Sequence, residues 1–187
     1  MIAVYIIIGI VVLFLLFVVV NYNGLVRLRN QVRNAWAQID VQLKRRHDLI
    51  PNLVETVKGY MQYERATLEA VTNARNLAQR AIGTGVGAQA KAEAELGGAL
   101  ARLLAVVERY PDLKANQNFL ALQEELTSTE NKIGFSRQFY NDAVFSYNNK
   151  TQMFPSNIIA GMTGFKSGEF FQVEAAEERA APKVSFG

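Results

Sequence analysis

The chain has 187 residues, 50% of them hydrophobic and 20% charged, with a formal net charge of +3; this length and balance allow a buried core and exclude a disordered chain. It contains no cysteine and one histidine, which excludes disulfide frameworks, histidine–cysteine zinc sites and Cys/His dyads. The lack of cysteine fits a reducing compartment.

Residues 1 to 20, MIAVYIIIGIVVLFLLFVVV, carry no charged side chain. At about 1.5 Å per helical residue they reach roughly 30 Å, the thickness of a bilayer core, so 1–21 is expected to be a transmembrane anchor. A cleaved signal peptide needs a basic leading region, a shorter apolar stretch and a small-residue cleavage site, whereas Met1 leads straight into the apolar run and Asn-Tyr-Asn-Gly follows it. Between Asn21 and Arg46 the bases Arg27, Arg29, Arg33, Lys44, Arg45 and Arg46 face one acid, Asp40. Juxtamembrane cations stay on the cytoplasmic side, so the C-terminal domain is expected in the cytoplasm.

Beyond the anchor, Leu25, Leu28, Val32, Trp36, Ile39 and Leu43 recur at three- and four-residue steps, one apolar stripe on a helix that continues the anchor. A second stripe, Val54, Val57, Met61, Leu68, Val71 and Ala78, carries a helix to about Arg80, where the glycines of Gly83 to Gly87 supply a loop. Leu96, Leu100, Leu103, Leu104 and Val107 mark a third helix, in which Gly97 and Gly98 read as a close helix crossing. The fourth carries Phe119, Leu126, Ile133, Tyr140 and Tyr147 seven apart, with Leu122, Thr129, Ser136 and Ala143 between them. Strand signals are nearly absent before residue 151, so residues 22–150 are expected to be all-α, an antiparallel up-and-down four-helix bundle of long helices. The tail, 151–187, divides into an apolar stretch from Phe154 to Phe171 and a short charged one from Gln172.

The segment Arg46 to Pro51 is expected to be a corner between helices. A proline in a first helical turn costs little, Asp48 can cap the new helix, and Lys44, Arg45, Arg46 and His47 then sit at the end of the previous one, where exposed carbonyls favour cations. A kinked continuous helix competes, since Leu43, Ile50 and Val57 keep heptad phase.

Catalytic groups are scarce. His47 is a corner residue on this reading, no Glu-x-x-His pair exists for a di-iron bundle, and the Gly83 to Gly87 loop lacks the Lys-Ser/Thr of a phosphate-binding loop. Glu124 with Glu125, and Glu177 with Glu178, are adjacent and therefore diverge on a helix. No metal, cofactor or catalytic residue is expected. Nor is nucleic acid: the bases between 27 and 46 are spread around a helix, without aromatic platforms. The notable polar residues are Glu130, Arg137 and Asn141 beside the seam of the fourth helix, and Asn30 and Asp40 beside the first stripe; they are expected to form a structural hydrogen-bonded network that fixes helix register.

The stretches YNGLVRLRNQVRNAWAQIDVQLKRRHDLIPNLVETVKGY from Tyr22, YPDLKANQNFLALQEELTSTENKIGFSRQFYNDAV from Tyr110, FPSNIIAG from Phe154 and GFKSGEFF from Gly164 resemble the LemA family. The resemblance implies an N-terminal anchor and an antiparallel helical bundle in bacterial membranes, and no established enzyme activity. The expected function is therefore a non-enzymatic, self-associating scaffold on a bacterial inner membrane, with an adapter for a membrane protease or sensor complex as the alternative. Its expected partners are the lipid bilayer, other copies of the chain and a membrane-protein partner. Phe154, Ile158, Ile159, Met162, Phe165, Phe170 and Phe171 would form a membrane-proximal or subunit interface, because this stretch is more apolar than an isolated bundle leaves in water.

Overall fold

The computed structural model describes residues 1–172, and all regular structure among them is helical: α1 (Ile2–Lys58), α2 (Arg65–Ala81), α3 (Val86–Val107), α4 (Pro111–Lys114), α5 (Gln117–Gln152) and α6 (Ser156–Thr163). The charged stretch after Gln172, with Glu177 and Glu178, lies outside the described residues. The chain divides into two compact units. One comprises Met1–Arg45 with Thr129–Phe170, the other Arg46–Ser128 with the described residues after Phe170.

The corner at Arg46, Asp48 and Pro51 is not formed. Helix α1 runs unbroken through all three to Lys58. Asp48 is exposed within the helix rather than at an N-cap, and Arg46, expected at a solvated helix end, is buried. The physical reason is that the hydrogen bond Pro51 cannot make is replaced. In an α-helix the amide of residue 51 would serve the carbonyl of residue 47; here Arg75 Nε of α2 donates to the His47 carbonyl oxygen at 2.8 Å. The heptad residues Leu43, Ile50 and Val57 are all buried.

The expected second helix is split instead. Its first part belongs to α1, and the chain turns between Gly59 and Glu64 before α2 begins. Gly59 raises the cost of continuing the helix by about 1 kcal/mol relative to alanine. Met61 is fully buried in the turn, and Tyr60 Oη accepts from Asn116 Nδ2 at 3.1 Å. Between α2 and α3, Gly83 and Gly85 take φ of +79° and +126°, a region that side chains disfavour.

The core of the second unit joins Ile50, Leu53 and Val57 of α1 and Met61 to Leu68, Val71 and Ala78 of α2, to Leu96, Leu100, Leu103 and Val107 of α3, and to Leu113, Phe119 and Leu126. Each such side chain larger than alanine contributes roughly 1.5–3 kcal/mol when removed from water. The expected crossing at Gly97 and Gly98 is absent, since a Cβ at either would meet nothing within 4 Å. The seam of α5 is as its seven-residue repeat predicts: Phe119, Leu126, Ile133, Tyr140 and Tyr147 are buried, as are Thr129 and Ala143.

Within the first unit, the start of α1 is long and apolar enough to cross a membrane, and none of that apolar stretch is buried in the protein. Further along, Leu25 is fully buried with Ile159 and Ala160 of α6, flanked by Val18 and Phe165.

Candidate functional site

The most concentrated chemistry lies in the second unit, where Arg46, His47 and Glu93 are all nearly sealed from water. The long α1 places Arg46 and His47 side by side, and the α3 stripe presents Glu93 between the buried Gln89 and Leu96. Glu93 Oε2 pairs with Arg46 Nη2, and Oε1 faces His47 Nε2 at 3.0 Å. Burial is the largest single influence on the Glu93 carboxyl and pushes its pKa up; the His47 hydrogen bond and the charges of Arg46 and His47 together outweigh it and hold the pKa below its ordinary value. Both carboxylate oxygens are therefore committed to neighbours in the protein. Together with the Arg75 bond to the His47 backbone, the cluster ties α2 and α3 to one level of α1. Such an arrangement is of the kind that can fix helix register.

Glu93 was not among the residues the sequence singles out. The signal was present, because Gln89, Glu93, Leu96, Leu100 and Leu103 share one helical face, and a carboxylate in the phase of a buried stripe demands a cation. Among the described residues no group of three or more His, Cys, Asp or Glu side chains could hold a metal ion.

In the first unit, Asp40, Glu130, Arg137 and Asn141 of the expected network are half-buried and each has an interaction partner, while Asn30 is exposed. Asn30 lines a groove of about 570 Å³ with Asn23, Gln31, Asn34, Gln38 and Phe139. A second groove, about 440 Å³, is lined by Gln38, Val41, Lys132 and Phe135 among others. Val41, Phe135 and Phe139 are exposed. Close by in sequence, Tyr140 packs edge-on against Trp36 with ring centroids 5.2 Å apart and donates its hydroxyl to the Glu169 carbonyl at 2.8 Å. Burial, then the Glu169 charge, pushes the Tyr140 pKa up to about 12.

The apolar tail splits in its placement. Phe154, Ile158 and Met162 are exposed, Phe165 and Phe170 are half-buried, and Ile159 and Phe171 are buried within the chain itself. Asn148 clasps the backbone of Gly168 at both ends, with Nδ2 donating to its carbonyl at 3.0 Å and Oδ1 accepting from its amide at 2.7 Å. Part of the stretch expected at an interface is thus packed on its own chain.

Comparison with known proteins places these features in a family. Over 190 residues the chain is 27% identical to the magnetosome protein MamQ 2 of Paramagnetospirillum magneticum, covering 89% of this chain and 70% of that protein. It is 26% identical over 155 residues to Protein LemA of Metamycoplasma hominis, covering 83% and 70%. It is 25% identical over 189 residues to the magnetosome protein MamQ of Magnetospirillum gryphiswaldense, covering 88% and 70%. The profile of the LemA family matches residues 35–186, and the chain belongs to that family.

Proposed function

We propose that this protein is a non-enzymatic, single-pass scaffold of a bacterial inner membrane that associates with copies of itself, its helices beyond the anchor forming an antiparallel up-and-down bundle on the cytoplasmic side. The observation that carries the reading is the aromatic surface of the first unit. Phe135 is 73% exposed and Phe139 44%, beside grooves that include Val41 at 63%. Apolar surface on a chain already held in one plane is favoured to meet another copy, because anchoring raises the effective concentration. The kinship with magnetosome proteins supports a structural role.

The test is particle size in mild detergent for the intact chain and for a Phe135→Ser, Phe139→Ser variant. An assembly larger than one chain, reduced to single chains by the two substitutions, is the expected outcome. Single chains in both cases would replace the scaffold by the adapter reading. That second reading is favoured by a groove of about 640 Å³ in the second unit, lined by apolar Val54, Met61 and Leu68 and by charged Glu55, Lys58, Arg65 and Glu69, a chemistry suited to an amphipathic helix of a partner.

A further inference from the structure

Helix α6 has two apolar sides and covers only one. Ile159 and Ala160 are buried in the cluster around Leu25, which Val18 and Phe165 flank. Ile158 and Met162, one turn apart, are 53% and 83% exposed, and Phe154 just before the helix is 78% exposed. The contacts fix where this face lies along α1. Val18 is inside the charge-free run of residues 1 to 20 and Leu25 is just beyond it; their separation along the helix is about 10 Å. Helix α6 therefore sits beside the last turn of the apolar stretch and the turns that follow.

The surroundings match that depth. Lys150 Nζ donates to Asn21 Oδ1 at 3.0 Å, and the Tyr22 ring meets Phe165 edge-on at 5.8 Å. The Arg29 guanidinium lies 4.9 Å from the centre of the same Phe165 ring, while Arg27 and Lys166 are exposed. Tyrosine and amphipathic cations gather where hydrocarbon gives way to headgroups. A bilayer that holds residues 2 to 20 must have its surface at this level, whatever else the protein binds. A short apolar helix face there meets lipid without any further partner being required.

We propose that α6 is an interfacial foot: Phe154, Ile158 and Met162 insert among the headgroups and upper acyl carbons of the bilayer that holds the anchor, as amphipathic helices lying about 5–10 Å deep do, while Arg27 and Lys166 face anionic headgroups. The foot would fix the angle at which α1 leaves the membrane. This goes beyond the scaffold reading and holds whether or not the chain self-associates.

Because the chain has no cysteine, single reporters can be placed in the full protein. Ile158→Cys and Met162→Cys, each carrying an environment-sensitive fluorophore, are compared with Thr84→Cys in the exposed turn between α2 and α3, in vesicles of phosphatidylethanolamine and phosphatidylglycerol. Lipid with brominated acyl chains is expected to quench at 158 and 162 several-fold more than at 84, and aqueous iodide to show the reverse order. Iodide reaching 158 and 162 as readily as 84 would place the face in water and overturn the proposal. Shielding from both quenchers that is relieved by diluting the protein in lipid would overturn it too, since a second copy would then be the cover.

Discussion

Arg75 donates its Nε hydrogen to the carbonyl oxygen of His47 at 2.8 Å, the one carbonyl that Pro51 deprives of its helical donor. This pairing explains why a proline is tolerated deep inside a 57-residue helix. An interior proline costs about 3 kcal/mol through the lost donor and the clash of its ring, and a charge-assisted hydrogen bond returns roughly 1.5–3 kcal/mol. Arg75→Ala should therefore destabilise the protein by about that amount. In a Pro51→Ala background, where residue 51 regains its amide, the same substitution should cost markedly less. Denaturant unfolding of the four variants in detergent measures the difference; equal costs in both backgrounds would show that Arg75 does not substitute for the missing donor.

The Glu93 cluster predicts an acid limit with a defined sign. The folded-state pKa of Glu93 lies below its ordinary value of 4.5. Its contribution to stability is thus fully present above pH 4.5 and is lost as pH falls through the lower folded value. At neutral pH, Glu93→Gln should be the less stable protein, because removing one partner leaves Arg46 buried without its counter-charge, a change that typically costs about 3–5 kcal/mol. The gap between Glu93→Gln and the wild type should narrow as pH drops below 4.5. Melting temperatures followed across that range check the prediction: coincident curves would mean that the cluster carries no net stability, and parallel offset curves that ionisation of Glu93 is not its source.

How far the sequence speaks depends on whether a pattern is local. The seam of α5 was legible because one seven-residue repeat runs along it, from Phe119 to Tyr147, with no competing signal. The break at Gly59 was hidden, since Val57, Met61 and Leu68 continue the stripe through it and Met61 is buried in the turn as it would be in a helix. Pro51 suggests a corner for a different reason: its compensation comes from a residue 28 positions downstream of His47, and no local rule supplies it. Glu93 was discernible in principle from its phase on α3, but only a tertiary contact identifies Arg46 and His47 as its partners. In the tail, composition marked an apolar surface without saying which half the chain would cover with itself.

That covered half predicts a local latch. Asn148 holds both the amide and the carbonyl of Gly168, and Tyr140 holds the next carbonyl, that of Glu169. Asn148→Ala removes two hydrogen bonds worth about 0.5–1.5 kcal/mol each, while the apolar core of either unit is untouched. The segment after α6 should open more often, a sub-global event rather than unfolding. Limited trypsin digestion should then cleave after the exposed Lys166 faster than in the wild type, with an unchanged global melting temperature. Asn148→Asp, which keeps the acceptor and loses the donor, should fall between the two. Cleavage at the wild-type rate in Asn148→Ala would show that the clasp does not hold the segment.

Orientation follows from the charges that flank the anchor. Arg27, Arg29 and Arg33 lie within the first turns beyond the apolar run, and no acid precedes Asp40. Moving such cations across a bilayer is disfavoured, so the residues after the anchor are expected on the cytoplasmic side. The reporter position must be chosen with the backbone in mind. Gly83 and Gly85 hold positive φ and would be strained by any side chain, whereas Thr84 between them is exposed and already carries one. In this cysteine-free chain, Thr84→Cys gives a single thiol in the turn between α2 and α3. With the outer barrier of the cell opened, that thiol should resist a membrane-impermeant maleimide and react once the inner membrane is permeabilised. Reaction before permeabilisation would place the domain on the opposite face, and the arginines beside the anchor would then need a role other than setting topology.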